Sequence, residues 1–423
     1  MKTSLLLFIA LATTMVFAAA GRIDLGEILQ IYPWGVLLIL IALEIFTNMV
    51  INTRVMEVTA VWLSRKSKAD QALVMMLFSA LLFLVSSLIN NITAVLVVLP
   101  IIFVLLQAVK LDQRFGLAFF ALLLAISNLA GASTPIGDFP AIIIMNSGLT
   151  TFLDYLRRAF PLFLVMGVVV VLTHSLLHRR KRHDETETEC TQRDLSIHFL
   201  ELQHKNYKIH WSALARIGAV FALMFIAWSL LPADKFPPET VAVMGLACAA
   251  VLLFREGAGA LLEPYPLASV LVIGPFLLLA TVAQALGLLD VVAKQVLLLK
   301  DYPTALLVVM MIVTAILTGF FSAGPTAAAM MPVVIKVAAE VFPHQNHWLA
   351  VAFAVSICAG SSLFITSASA GPILMEKIAG ANLTTGDGKT LQLGFANYAR
   401  YGLLHFALQL AVGIAWVVIA MQP

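Results

Sequence analysis

Charge is scarce in this chain. Only 12% of its 423 residues are Asp, Glu, Lys or Arg, about half the roughly 25% usual in soluble domains. Sixty-one per cent are hydrophobic and the mean hydropathy is +0.98. So few charges exclude a soluble globular protein and imply a multi-pass membrane protein with the lipid bilayer as its solvent. Cysteine is scarce too: Cys190, Cys248 and Cys358 lie far apart, which argues against a disulfide framework or a zinc knuckle. A nucleotide-binding glycine loop and the H-E-x-x-H motif are absent, so ATP-driven pumping and an embedded metalloprotease are unsupported. Neither a catalytic constellation nor a metal-ligand set is visible, and nothing suggests nucleic acid as a partner. A non-enzyme handling a small ion is the expectation.

What the chain has is apolar length. Runs long enough to span a bilayer, roughly 17–25 residues as helix, fall near 3–19, 33–53, 159–177, 211–231, 239–254, 266–287 and 401–421. Two runs, 71–109 and 302–341, are about twice that length and are interrupted near their middles by Asn90-Asn91 and by Ser322-Ala323-Gly324-Pro325-Thr326. Two more, 116–146 and 347–375, contain the stretches SNLAGASTPIGDFPAII (127–143) and AGSSLFITSASAGPIL (359–374). Backbone at membrane depth leaves helical geometry only where it is buried in protein or lines a watery cavity. The opening segment, 1–20, reads either as a signal peptide, with Ala18-Ala19-Ala20 as a small-residue cleavage site, or as a retained first helix; symmetry favours the helix.

The interruptions repeat. One constant shift along the chain places Pro140 on Pro372, Thr134 on Thr366, Gly137 on Ser369 and Pro100 on Pro332. Each half reads span, span, double-length run, broken span, span, with a polar stretch and one unpaired helix between them. The expected organisation is a first repeat over 1–177, a cytoplasmic linker with connecting helix over 178–238, and a second repeat over 239–423. Each double-length run must enter and return on one side, so a five-element unit makes an even number of crossings and the unpaired helix turns the second unit over. The fold class is therefore all-α, with two inverted five-element repeats, re-entrant hairpins and broken helices, a layout common among secondary transporters. Loop charge agrees. With 54–70, 109–115, 178–210, 255–265 and 376–400 inside, those loops hold 17 of the 26 Lys and Arg against six on the other side, as the positive-inside rule requires of a protein of the inner (plasma) membrane.

The polar residues within these breaks are the candidate binding groups. In the first break a helix is expected to end near Ser127-Asn128, with six to ten irregular residues before a second helix starts at Asp138-Phe139-Pro140. Asp138 reads as an N-cap and as a cation or proton ligand, and the roles can coexist. In the second break, Ala370 stands where the first has Asp138; the hydroxyls of Ser361, Ser362, Thr366, Ser367 and Ser369 offer oxygen to sodium, or serve small-residue helix packing. Asn90-Asn91, followed by Ile92-Thr93-Ala94, is either a hairpin tip facing substrate or a tight turn at the far surface. Glu44, about eleven residues into 33–53 with Asn48 one turn on, is either a proton carrier or a neutral acid that pins helix packing. Six of the nine histidines (His174, His178, His183, His198, His204, His210) crowd in or beside the central loop, which reads as a solvated basic linker rather than a metal-sensing patch.

These motifs resemble the ion transporter superfamily, which includes NhaD-type sodium/proton antiporters, arsenite permeases, the pink-eyed-dilution type and the citrate and sodium/dicarboxylate symporters. ASTPIGDFPAII (132–143) is similar to the T-P-I-G-D stretch of the family's unwound helix, and NNITAVLVVLP (90–100) to its hairpin tip, with Asn91 to Pro100 at the family's spacing; SAGPTAAAMMP (322–332) takes the corresponding place in the second half. The resemblance implies an elevator or rocking movement, a homodimer in some branches, and sites at Asn91, Thr93, Thr134, Asp138, Ser322, Thr326, Thr366 and Ser369, to which the residues themselves add Asn90, Asn128 and Ser362. It implies no cofactor beyond Na+ or H+ as coupling ion. The chain departs from the pattern at Asn90, where antiporters have Asp; at Ala323-Gly324, where symporters have Asn-Thr; and at Phe139-Pro140-Ala141, which lacks the Asn after a double proline. Cation/proton antiport is the leading expectation, a cation-coupled permease for a small anion the alternative, and a passive channel a third class.

Overall fold

The computed structural model describes residues 2–67, 70–108, 113–177, 195, 202, 208–232, 235–252, 268–385 and 390–422. Among them are eighteen α-helices, and the only β pairing is an isolated bridge between Thr384 and Thr390. In chain order the helices are α1 (Lys2–Ala19), α2 (Leu25–Ile31), α3 (Trp34–Asn52), α4 (Val55–Ser67), α5 (Gln71–Ser86), α6 (Asn91–Ala108), α7 (Gln113–Ser133), α8 (Phe139–Asn146) and α9 (Phe152–Leu177). There follow α10 (Trp211–Leu230), α11 (Pro238–Leu252), α12 (Ala268–Ala285), α13 (Leu288–Val296), α14 (Pro303–Phe321), α15 (Ala323–Val341), α16 (Asn346–Ser361), α17 (Gly371–Ala381) and α18 (Phe395–Ala420). Seven of these, α3, α7, α9, α10, α14, α15 and α18, are long and apolar enough to cross a bilayer. A further pair, the end of α12 and the segment from Leu288 to Leu299, is bent by 77°.

The duplication sets where helices begin. The shift that carries Pro140 onto Pro372 also carries the first residue of α5, Gln71, onto that of α14, Pro303. It carries Asn91 of α6 onto Ala323 of α15 and Phe139 of α8 onto Gly371 of α17, and it brings Gln113 of α7 to the residue just before α16. Both double-length runs are helix pairs, α5–α6 and α14–α15, and both broken runs are a long helix followed by a short one, α7–α8 and α16–α17. Three helices carry no signal of a span. α2 is seven residues long, and α4 and α13, whose first residues the same shift pairs to within one position, lie in stretches that read as loops because they are too short or too charged to cross.

One boundary needs correction. α7 does not end near Ser127-Asn128 but runs on to Ser133, leaving only 134–138 irregular. The polar residues that suggested a break are absorbed by the helix: Ser127 and Ser133 each donate their hydroxyl to the carbonyl three residues back, at 2.9 and 2.7 Å. Gly131 supplies a close approach instead, since a Cβ there would stand 2.8 Å from that of Asp138.

Helix contacts divide the molecule in two. α1, α3, α10, α11 and α12 pack mainly on one another, and α5–α9 interlock with α14–α18. α7 lies at the centre of the second group, buried at every residue from Phe115 to Ser133. The groups touch chiefly where α3 meets α8 and where α12 meets α15. Of the clustered histidines, His174 belongs to no linker: it is buried in α9, and its Nε2 lies 3.3 Å from Nε2 of His405 in α18. His178, His183, His198, His204 and Cys190 fall outside the described residues, as does most of the basic linker.

Candidate transport site

The turn between α5 and α6 is tied to the break between α7 and α8. Thr134 donates its hydroxyl to the Ser87 carbonyl at 2.5 Å, Ser86 donates to the Ser127 carbonyl at 3.1 Å, and Asn91 donates through Nδ2 to Asp138 Oδ2 at 3.1 Å. Asp138 is also the N-cap of α8, its Oδ1 accepting from the Phe139 N–H at 2.9 Å. The second half repeats the stitching with other residues. Ser322 donates to the Ser367 carbonyl at 3.0 Å and Ser367 to that of Gly319, the position that the duplication pairs with Ser87.

These two stitched turns close on one cavity of about 420 Å³. Its wall includes Glu44, the eleventh of the 19 residues of α3, so the cavity lies level with the middle of that helix. The turn at Asn90-Asn91 therefore lies at this cavity, with Asn90 on its wall. Asn90, Thr93, Ser322, Thr366, Ser369 and Glu44 all line the wall. Asn91, Thr134 and Asp138 do not: they stand behind it, in the stitches that hold the tip. Asn128 and Asp138 face a second, smaller void. Thr326 is buried in α15 with its hydroxyl unpartnered. Ser362 is turned away, its Oγ 3.1 Å from Nε2 of Gln409 and its carbonyl accepting from Tyr398 at 3.0 Å. The wall also contains Thr47, whose hydroxyl is spent on the Leu43 carbonyl at 2.8 Å, and Phe139, Ile273, Phe276 and Phe321, which the sequence did not mark as site residues because an apolar side chain inside an apolar run carries no signal.

Electrostatics at the cavity come mainly from backbone. First-turn residues of four helices line it: Ile92 and Thr93 of α6, Phe139 of α8, Gly324 and Pro325 of α15, Pro372 and Ile373 of α17. Each helix N-terminus carries roughly half a positive charge, although the Ile92 and Phe139 N–H groups are already taken by Asn90 Oδ1 and Asp138 Oδ1, both at 2.9 Å, and Pro325 and Pro372 have no N–H to give. Among the described residues the wall holds no Lys, Arg or His, and Glu44 is its only ionisable residue. Behind it, Asn91 Oδ1 is a buried acceptor with no hydrogen-bond partner, suited in kind to a hard cation that prefers oxygen.

Ser322 reaches this geometry under strain. Its φ of 73° and ψ of 161° place it in a region open essentially to glycine. Ser322→Gly should relieve roughly 1–3 kcal/mol of strain and forgo about 1 kcal/mol of hydrogen bonding. Ser322→Ala keeps the strain and loses the bond. Thermal unfolding in detergent is expected to rank Ser322→Gly above Ser322→Ala.

A multi-pass all-α protein whose broken helices and helix-pair turns meet around one cavity belongs to the class of membrane transporters. Residues 3–358 match the family model described as citrate transporter, and the chain belongs to that family. It is 24% identical over 348 residues to a 46 kDa membrane protein of Mycobacterium leprae (strain TN), covering 81% of this chain and 78% of the relative. An uncharacterized transporter of Mycobacterium tuberculosis (strain CDC 1551 / Oshkosh) is 24% identical over 381 residues, 87% of this chain and 84% of its own. The magnetosome protein MamN of Magnetospirillum gryphiswaldense is 24% identical over 306 residues, 69% and 66% of the two chains.

Proposed function

We propose that this protein is a secondary active transporter of the inner (plasma) membrane that carries a small anion, coupled to sodium or protons, by alternating access. The observation that carries this reading is the convergence of four helix N-termini on a cavity that has no cationic side chain among the described residues. Aligned N–H groups favour negative charge, and the family description of a citrate transporter supports the same substrate class. The coupling cation would take Asn91 Oδ1 as a ligand, with Asp138 supplying charge behind it. The two helix groups would then slide or rock past each other around the cavity. Sodium/proton antiport remains a second reading, favoured by the acid Glu44 on the cavity wall.

Purified protein in liposomes decides between them. With inward sodium or proton gradients, labelled citrate or a smaller carboxylate is expected to accumulate above its equilibrium level, and collapse of the gradient should release it. Sodium-driven proton movement that needs no anion would establish antiport instead. A steady ohmic conductance would overturn carrier function altogether.

A further inference from the structure

A second void, about 10 Å³, lies on the far side of Asp138 from the hairpin tip, where α7 and α8 face α16. Its polar lining is Asn128 from α7, Asp138, and Ser361 from α16, with the weakly polar thiol residue Cys358 beside them; Ala132, Ala141 and Ala354 are among its apolar walls. Asn128 is 4% exposed and its Nδ2 has no hydrogen-bond partner. A buried amide N–H left unpaired costs about 1–3 kcal/mol, and the void that Asn128 lines is where an acceptor for it can stand.

The size and the donor set select the occupant. A volume of this order holds one water molecule, and such waters make about three hydrogen bonds to buried polar groups. Three are on offer: Asn128 Nδ2 as donor, the Asp138 carboxylate as acceptor, and the Ser361 hydroxyl oxygen, whose proton goes to the Ile357 carbonyl at 2.7 Å. A sodium ion fits poorly, because three side-chain oxygens underfill its coordination and the Asn128 N–H would point at a cation. We infer that this void is a binding site for a single water, held by Asn128, Asp138 and Ser361, which joins the broken helix of the first half to α16 of the second. The carboxylate of Asp138 then has a partner on each flank, Asn91 toward the cavity and water toward α16. Its place in the site is to orient Asn91 rather than to meet substrate.

The test reads occupancy and not transport, so its failure is separable from failure of the proposed function. A high-resolution map of the full-length protein is determined twice, in sodium and in thallium(I). The expected result is a density peak within hydrogen-bond reach of Asn128 Nδ2 and Asp138, unchanged between the two salts. A peak that strengthens with thallium would make this a cation site, and an empty void in both maps would make it a packing defect; either overturns the inference. Ala354→Val, which adds two methyl groups at a residue lining the void, should abolish the peak. If the valine variant does not fold, the sodium and thallium maps still decide.

Discussion

Asp138→Asn is expected to give a folded protein whose anion uptake needs a much higher concentration of the coupling cation. The amide oxygen that remains can accept from the Phe139 N–H or from Asn91 Nδ2, but no longer from both through two equivalent oxygens. With the cap kept, Asn91 must turn its own amide over to meet the new NH2, which consumes Oδ1, the one buried acceptor at the tip left without a partner. A charge and a ligand oxygen are lost together. Hydrogen bonds to a charged group are each worth about 1.5–3 kcal/mol, so apparent affinity for the coupling cation should fall roughly ten- to a hundred-fold. Asp138→Ala should do this and also remove the cap, a further loss of about 0.5–2 kcal/mol. Cation-dependence curves for uptake, paired with thermal unfolding, separate the two variants. Uptake by Asp138→Asn with unaltered cation dependence would show that the tip does not serve the coupling ion.

The largest effect on stability is expected at Gly371. A Cβ at this first residue of α17 would stand 1.7 Å from the Ile365 carbonyl oxygen and 2.8 Å from its carbon. The obstacle is backbone in the break itself, which cannot swing aside as a side-chain tip would. Gly371→Ala must therefore push α17 away from the turn or reshape 362–370, and overpacking of this kind costs about 1–3 kcal/mol and occasionally more. Gly137→Ala should act similarly in the first break, though at a different position of the repeat, with the Gly131 carbonyl oxygen at 2.6 Å and the Gly131 Cα at 2.9 Å. Gly380, near the other end of α17, has nothing within 4 Å of the same added atom. Gly380→Ala should leave the unfolding temperature close to that of the parent, while Gly371→Ala should lower it most or prevent recovery of monodisperse protein. Equal behaviour of the two alanines would mean that the break is far more pliable than its contacts indicate.

The parts of this structure that sequence could reveal are those where the backbone departs from a helix. Proline, glycine and an N-capping aspartate punctuate an apolar run at fixed places, so the starts of α8 and α17, and the pairing of α5–α6 with α14–α15, follow from residue type and a constant offset. The end of α7 did not follow, because Ser127, Asn128 and Gly131 look alike whether they break a helix or pack one; only the neighbouring chain, close enough to need glycine at 131, separates the cases. The cavity was half legible. Asn90 and Asn91 are adjacent and chemically identical, yet a turn of the chain puts Asn90 on the wall and sends Asn91 back to Asp138. Ser362 belongs to the same hydroxyl-rich string as Thr366 and Ser369 but faces Gln409 instead. Ile273 and Phe276 had no signal, since α12 contributes shape and not charge.

The burial of α7 has a consequence for how the chain is assembled in the bilayer. Its hydropathy is that of an ordinary lipid-facing span, yet 94% of its apolar window is covered by protein, against 22% for α10. Part of that cover comes from α16 and α18, which are synthesised long after it. Until they arrive, the face of α7 that carries Asn128 and leads to Asp138 lacks its final protein partners. The nascent first half is then a provisional structure, apolar enough to stay in the membrane but with its most polar seam open. Truncations that end before α16 should therefore insert and yet be recognised by membrane quality control, whereas completion of the second half converts the same seam into the most protected part of the molecule.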